Sequence, residues 1–378
     1  MGFIRDNIMK IVLFIIVLVV VILVFSILFG KKGGIGDMSP SQLESQLVEA
    51  SKKYARANTK VIPKNENESN KIKSELLEER GYLKELKYKN EKCSGYVDLI
   101  YKKKEILFIP FIKCGKSYET VKLANYIIDN EPIVSSNDGL YKMGDKYIFR
   151  GEVVNNYIMI GNKLYRIMEI NENKEMKLIS NKKSGIYFVW DNRYNIDKKS
   201  EVGINNYFKS RLKEKIDYIT KNNNYDENSN DNFFSKQEFE KMIPHDICVG
   251  KRPVSYSAID SSNECQTISH DEYISLITVS DYARASIDSN CKTIYDRSCS
   301  NYNYLSKISS YFYTTTAVSD NSYEVYYING GVANRIRTSK SFIPNIVIYI
   351  DSNSIYLSGD GSQNNPYILK ENNATTNK

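Results

Sequence analysis

The sequence predicts an α+β fold in three parts: an N-terminal transmembrane helix, a small helical module with a disulfide-linked hairpin, and a β-rich domain. Three observations predict it. The run from Ile11 to Phe29 carries no charge, two apolar runs lie between Cys93 and Cys114, and short apolar runs alternate with Asn- and Gly-rich turns from about residue 139. The expected divisions are residues 1–36 (tail, helix and linker), 37–125 (small module) and 126–378 (β-rich domain).

The uncharged run at 11–29 predicts a helix that attaches the chain to a membrane. As a helix it extends roughly 30 Å, the thickness of a bilayer's hydrocarbon core, and it is apolar all round. A cleaved signal peptide is the alternative, although no small-residue cleavage site follows the run. Arg5 and Lys10 precede it and Lys31 and Lys32 follow it, so flanking charge does not orient the helix.

Six cysteines, all after this run, predict that the rest of the chain is extracellular. Their spacing favours three local disulfides: Cys93–Cys114, Cys248–Cys265 and Cys291–Cys299. Six cysteines allow fifteen connectivities, and free buried thiols are an alternative. A C-x-x-C spacing typical of zinc sites is absent from the sequence. Because disulfides persist outside the cytosol, the chain is predicted to be a single-pass protein of the cell membrane with its C-terminal part outside.

The composition is that of a folded protein with a modest excess of positive charge. Hydrophobic residues make up 42% and charged residues 26% of 378, enough apolar content for a buried core. The net charge of +7 suits contact with an anionic surface such as a wall polymer or lipid headgroups. Ordinary solubility charge explains the same number.

Residues 37–125 predict two helices and a hairpin. Ser39 and Gln42 match a capping box with Pro40 at the first helical position, and apolar residues follow at helical spacing. A second helix is expected to carry Ile72 and to stop near Gly81. Apolar runs on either side of a charged turn then predict the hairpin whose strand ends the first disulfide ties.

Residues 126–378 predict a β-meander, a helical middle and a return to strands. The meander strands are expected near 147–151, 157–160, 163–168 and 175–179, and the later strands near 311–316, 323–328, 346–350 and 355–357. Helices are expected around Phe208–Ile216, after the capping boxes that begin at Ser235 and Ser269, and after Ser280.

Several spaced blocks of this last part resemble a lectin-like domain common in surface proteins of low-GC bacteria. The blocks run in the family's order: Gly139–Gly151, Asn155–Ile160, Leu164–Ile170, Tyr313–Thr316, Val325–Gly330, Ile343–Ile348 and Gly359–Tyr367. The resemblance covers about residues 139–370 and implies a C-type-lectin-like fold, the outline that formylglycine-generating enzymes also use. The hairpin from Cys93 to Cys114 resembles a segment that accompanies such domains.

The chain departs from that pattern at three positions. Tyr165 and Tyr313 stand where the family has tryptophan, which keeps an aromatic side chain for packing. The arginine of the family's "RPVI" block is missing at Ile343-Pro-Asn-Ile, which puts any site built on that arginine in doubt. The resemblance also implies cysteine chemistry for the related oxidases, and cysteines that pair locally leave none for it.

The sequence contains few candidates for catalytic or metal-binding residues. His245 and His270 stand apart without a ligand set, so a metal role is not predicted, and a Cys-His pair needs a free thiolate. Asp351 and Asp360 are candidate ligands for Ca²⁺, although their spacing is not that of an EF-hand and Asp360-Gly361 suits a turn. No cofactor is predicted, and no nucleic-acid-binding motif is present in the sequence.

A local basic patch supplies the candidate binding residues: Arg335, Arg337 and Lys340, with Tyr326 on the preceding predicted strand. The expected function is therefore extracellular binding or adhesion, with a glycan, a cell-wall polymer or a surface protein as partner. Residues 11–29 are expected to anchor the chain in the membrane. The alternatives are an extracytoplasmic enzyme on the same scaffold and a structural component of a surface assembly. Fold analogy does not decide between them, because function lies in the site.

Overall fold

A computed structural model describes residues 38–65, 68–102, 104–221, 234–253 and 257–370 of the chain. These residues form two compact units that divide between Thr120 and Val121. The prediction placed this division after residue 125. It falls earlier because Val121 and Leu123 hydrogen-bond to the backbone of Tyr356 and Ser354, which belong to the second unit.

The first unit is a five-stranded antiparallel sheet with helices. Its strands are ordered β1-β3-β4-β5, and β2 pairs with β3. The elements are α1 (Pro40–Ala57), β1 (Ser69–Lys73), α2 (Ser74–Glu79), β2 (Lys87–Tyr88), β3 (Glu91–Lys102), β4 (Glu105–Cys114) and β5 (Tyr118–Glu119).

Helix α1 begins where its capping box predicts. The Ser39 hydroxyl accepts a hydrogen bond from the Gln42 backbone N–H, and the Gln42 side chain accepts one from the Ser39 N–H. These bonds give hydrogen-bond acceptors to two backbone N–H groups at the start of the helix. Leu43, Leu47 and Ala50 then repeat at helical spacing and are buried in the core of this unit.

The predicted hairpin of the first unit is confirmed. Strands β3 and β4 pair antiparallel over ten registered residues, from Cys93 opposite Cys114 to Lys102 opposite Glu105. The predicted disulfide joins Cys93 to Cys114. Both cysteines are fully buried, so the bridge also contributes to the core.

The second unit is built around a nine-stranded sheet. Its strands are ordered β12-β20-β10-β9-β8-β22-β21, and β7 pairs with both β6 and β9. A four-stranded sheet, β14-β16-β17-β18, and the pairs β11-β19 and β13-β15 complete it. The elements are α3 (Leu123–Asn130), β6 (Gly139–Met143), β7 (Lys146–Arg150), β8 (Tyr157–Ile160), β9 (Lys163–Ile170), β10 (Met176–Ser180), β11 (Phe188–Val189), α4 (Arg211–Lys221), α5 (Lys236–Lys241), β12 (Met242–Ile243), β13 (His245–Cys248), β14 (Lys251–Arg252), β15 (Ile268–Glu272), α6 (Val279–Arg284), α7 (Leu305–Ile308), β16 (Tyr311–Val318), β17 (Glu324–Asn329), β18 (Val332–Arg337), β19 (Ser341–Phe342), β20 (Val347–Ile350), β21 (Tyr356–Ser358) and β22 (Tyr367–Leu369).

The predicted meander strands are confirmed as β7 to β10, and the sheet also draws on the end of the described chain. Strand β22 pairs parallel with β8, and β20 pairs antiparallel with β10. The Asp360-Gly361 turn leads into β22. Gly361 has a φ of +75°, and a Cβ there would lie 2.4 Å from the Asn155 carbonyl oxygen, so this close approach requires glycine.

The predicted fold class, α+β with an N-terminal transmembrane helix, is wrong. The described residues are β-rich, and of their helices only α1 and α4 are longer than eight residues. Within these ranges no helix combines the length and the apolar character that a membrane span needs. The run predicted to span the membrane, 11–29, lies outside the described residues.

One predicted helix is also wrong, and the structure shows the physical reason. Ser269 and Glu272 match a capping box, but these residues form strand β15, which pairs with β13. The Ser269 hydroxyl donates to the Glu272 carboxylate within the strand, at 2.5 Å, instead of capping a helix. Tertiary pairing overrode a local signal here, whereas the capping box at Ser235 does open α5 as predicted.

Candidate functional site

The predicted basic patch is largely neutralised by carboxylates. Arg335 binds Asp320 through two hydrogen bonds of 2.9 and 2.6 Å, and Arg337 is bonded to Glu201. Both arginines lie on β18, two residues apart, and therefore on the same side of the strand. Their charges hold neighbouring segments together, so they offer an anionic ligand less than the sequence pattern predicts.

The other two candidate binding residues lie in different surroundings. Tyr326 is fully buried, and its hydroxyl lies 3.4 Å from that of Tyr295. Burial, followed by the hydrogen bond to Tyr295, raises the pKa of Tyr326 above its usual range. Lys340 is exposed, and among the described residues it forms no ion pair. Of the four residues, Lys340 is thus the cation most open to a ligand.

Residues 191–205 form a loop, here named the displayed loop, whose framework is two buried asparagines. The Asn195 side chain accepts hydrogen bonds from the backbone of Asp197 and Lys198 at 2.9 and 2.8 Å. The Asn205 amide donates to three carbonyl oxygens, including those of Val318 and Glu324, at 2.9 to 3.0 Å. Buried amide bonds of this kind define one loop conformation.

The displayed loop exposes apolar side chains beside the predicted basic residues. Tyr194, Ile196 and Val202 are 60%, 66% and 45% exposed. Arg337 bonds to Glu201 of the loop, and the Lys198 ammonium donates to the Tyr323 hydroxyl at 3.3 Å. Exposed apolar groups on a rigid loop with a charged border are typical of interaction sites.

A second surface, here named the tyrosine face, consists of Tyr311, Tyr313, Tyr327 and Phe342. Tyr313 stacks on Phe342 with ring centroids 3.9 Å apart and on Tyr327 at 5.8 Å. Tyr311 lies two residues before Tyr313 on β16, on the same side of the strand, and is 47% exposed. The aromatic row therefore runs from the buried Phe342 to an open tyrosine at the edge.

Amides and lysines border the tyrosine face. Asn329 lies opposite Tyr311 and Asn334 lies opposite Tyr327 in the strand register. The Lys183 ammonium lies 6.0 Å from the centre of the Tyr311 ring. An open aromatic ring with amides and an ammonium beside it can stack on a flat ligand and hydrogen-bond to its edge.

A buried polar cluster of the second unit surrounds Glu264. This carboxylate is fully buried and accepts hydrogen bonds from the hydroxyls of Ser280 and Thr316. The fully buried Arg252 guanidinium lies 3.4 Å away and donates to the carbonyl oxygens of Asp260 and Ser257. Because Glu264 is completely buried, its role is structural. It joins the segment before β15 to α6 through Ser280 and to β16 through Thr316.

The disulfide Cys248–Cys265 stabilises the same segment, and Cys291–Cys299 closes a nine-residue stretch before α7. Cys265 follows Glu264 directly, and the Cys248 carbonyl oxygen accepts a hydrogen bond from the Thr315 hydroxyl at 3.0 Å. All three predicted pairings are therefore confirmed, and the described residues contain no free cysteine.

A buried ion pair lines a small cavity under α6. Lys177 Nζ lies 2.7 Å from Asp281 Oδ2, and Glu169, Arg284 and Tyr304 also line the cavity. Burial alone would lower the pKa of Lys177, but the charge of Asp281 raises it above its ordinary value. Burial works against ionisation of Asp281 too, yet Lys177 holds the pKa of that carboxyl below its usual range. The cavity measures about 10 Å³, which is room for roughly one water molecule.

The candidate metal ligands are not assembled into a site. Asp351 accepts a hydrogen bond from the Asn353 backbone and Asp360 from that of Ser362, so each carboxylate caps its own turn. His245 stacks on Tyr349 with ring centroids 3.7 Å apart. Across the described residues no group of three His, Cys, Asp or Glu side chains is arranged to hold a metal ion. The Ca²⁺ expectation stays a prediction.

One buried hydroxyl permits a stability test. Tyr207 is fully buried against Trp190, and its hydroxyl has no hydrogen-bond partner among the described residues. An unpaired buried polar group costs about 1–3 kcal/mol. We therefore expect Tyr207→Phe to leave the free energy of unfolding unchanged or to raise it by up to about 1 kcal/mol, measured by urea denaturation. Tyr165→Phe is the matched control. It loses a buried bond to Glu238 and should be less stable, and an equal loss in both variants would contradict the assignment.

Sequence reasoning missed the displayed loop and the tyrosine face. Their members come from separate segments: the loop depends on Ser322 and Val318, and the face joins β16, β17 and β19. One signal was present in the sequence, since Tyr311 and Tyr313 alternate along a predicted strand and so share a side. The asparagines gave no such signal, because asparagine is also common in plain turns.

No family model, no curated protein and no solved structure matches this chain. The resemblance to lectin-like domains accordingly stays a prediction.

Proposed function

We propose that this chain is an extracytoplasmic binding protein whose tyrosine face recognises a glycan or a cell-wall polymer. The observation that carries this proposal is the aromatic row that ends in the open ring of Tyr311. In the strand register Asn329 lies opposite Tyr311, and Asn334 lies opposite Tyr327. Sugar rings present apolar C–H faces and polar edges. An aromatic ring bordered by amides complements both.

The three disulfides support a location outside the cytoplasm. Such bridges are kept in oxidising compartments and are rare where thiols are held reduced. A surface or wall-facing location would bring the tyrosine face to polysaccharides. The net charge of +7 suits the same setting.

The test is a binding assay on the full chain with a glycan array and a sedimented bacterial cell-wall fraction. We expect Tyr311→Ala to weaken binding by about fivefold, because a lost aromatic stack of this kind is worth about 1 kcal/mol. Tyr194→Ala is the matched control. It removes a tyrosine of comparable exposure from the displayed loop and should leave glycan binding within about twofold. Absence of binding to every glycan and wall fraction would refute the proposal.

A second candidate function is protein docking through the displayed loop. It is favoured by Ile196 and Val202, aliphatic side chains that are 66% and 45% exposed on a loop of defined conformation. Aliphatic groups suit an apolar protein surface better than a sugar edge. The same two variants separate the candidates: a protein partner that binds through the loop would lose affinity for Tyr194→Ala and keep it for Tyr311→Ala.

A further inference from the structure

We infer that the tyrosine face selects polysaccharides that carry negative charge, such as polymers of uronic acids or of sugar phosphates. The inference rests on the proposed function and names the class of its ligand. It depends on the charges of the segments that form and border the face.

Those segments carry positive charge and no negative charge. The residues that build the face or adjoin its members in the chain are 309–313, 327–334 and 340–344, and residues 181–187 border the face through the contact of Lys183 with Tyr311. They contain Lys182, Lys183 and Lys340 and no aspartate or glutamate. The basic patch on β18 differs, because Arg335 and Arg337 there are paired with Asp320 and Glu201.

The three lysines are also available. All are exposed, and among the described residues none forms an ion pair. Lys183 alone has a contact, with the Tyr311 ring at 6.0 Å, which is at the outer limit of a cation–π interaction and holds the ammonium weakly. An acidic group on a sugar that stacks on Tyr311 would therefore bind the Lys183 ammonium, which gives up only a weak contact with the ring.

Charge complementarity decides the kind of ligand. A neutral glycan would use the ring and the amides but gain nothing from the lysines. An acidic peptide would use the lysines, but it has no flat apolar ring face to match Tyr311 unless it carries aromatic residues. An anionic polysaccharide uses the ring, the amides of Asn329 and Asn334, and the lysines together.

The experiment measures binding of the full chain to four probes: polygalacturonate, a phosphomannan, neutral dextran and polyglutamate. We expect the two anionic polysaccharides to bind at least about tenfold more tightly than dextran. Binding should weaken as NaCl rises, because exposed charges are screened. A preference between polygalacturonate and the phosphomannan tells whether carboxylate or phosphate is the recognised group.

The decisive variant is Lys182→Gln/Lys183→Gln/Lys340→Gln. It should lose about tenfold in affinity for polygalacturonate and keep its weak affinity for dextran, since each exposed charge contributes a modest amount. Its matched control is Lys60→Gln/Lys84→Gln/Lys116→Gln in the first unit. These lysines are also exposed, and the control changes the net charge equally. The control should bind as the parent does.

The outcomes separate the inference from the function on which it rests. Equal binding to dextran and polygalacturonate, with no effect of the first lysine triple, would overturn the inference and leave a glycan-binding protein. Equal losses in both triples, or polyglutamate binding as tightly as polygalacturonate, would also overturn it, because net charge alone would then explain the affinity. Failure of every polysaccharide to bind would refute the proposed function itself.

Discussion

Replacing Arg252 with methionine is expected to lower the free energy of unfolding by about 3–5 kcal/mol, because it leaves the Glu264 carboxylate buried without its cation. Both side chains are fully buried, with Arg252 Nη1 3.4 Å from Glu264 Oε2. The substitution also removes the donor to the carbonyl oxygens of Ser257 and Asp260. Urea denaturation at pH 7, followed by tyrosine and tryptophan fluorescence, measures the loss.

Arg337→Met is the matched control for this prediction. Arg337 is also paired with a carboxylate, that of Glu201, but its side chain is 51% exposed. Exposed pairs contribute about 0–1 kcal/mol, so this variant should stay near the parent. The double variant Arg252→Met/Glu264→Gln should recover part of the loss, since it no longer buries a charge alone. Equal stability of Arg252→Met and Arg337→Met would show that Glu264 is not the buried anion described.

Asp281→Asn is expected to lower the free energy of unfolding by about 3–5 kcal/mol, because it leaves the Lys177 ammonium buried without its partner. Urea denaturation measures this loss. Asparagine keeps an oxygen for the hydrogen bond from the Thr278 backbone N–H, so the start of α6 is preserved and the charge is the main change. Lys146→Met is the control. It removes the exposed member of the ion pair between Lys146 and Glu169, and it should lower the free energy of unfolding by no more than about 1 kcal/mol.

The pH dependence of this pair has a definite sign. The pKa of Asp281 is lowered in the folded state, so its contribution is present above the unfolded value of about 3.9 and is lost as pH falls through the folded pKa. The pKa of Lys177 is raised, so its contribution is present below about 10.4 and is lost as pH rises through the folded pKa. The gap between the parent and Asp281→Asn should therefore shrink below pH 4, where Asp281 of the parent takes up a proton. A gap that widens in acid would contradict the assignment.

Local signals predicted the parts of the fold that depend on neighbours in sequence. The three disulfides join cysteines 8 to 21 residues apart, and the pairing of nearest neighbours was correct for each. The capping boxes at Ser39 and Ser235 open helices because each needs only its own first turn. The strands of the meander followed from apolar runs between turns.

Signals that compete with tertiary pairing were the ones that failed. The segment after Ser269 has a capping box but pairs with β13, so the helix predicted there does not form. Arg335 and Arg337 look like a free basic patch in sequence, but Asp320 and Glu201, which neutralise them, lie 15 and 136 residues away. Charge partners at such separations cannot be paired by spacing alone.

What the sequence by itself determined is the disulfide framework, the capped helices and the β-rich run of the second unit, because each depends on residues close together in the chain. The tertiary structure decided which groups are buried and which are open. It placed Tyr326 in the core, paired Arg252 with Glu264, and brought Phe342 against Tyr313 so that Tyr311 ends an open aromatic row. These relations depend on strands from distant segments meeting in one sheet, and burial is a property of that packing rather than of the residues alone.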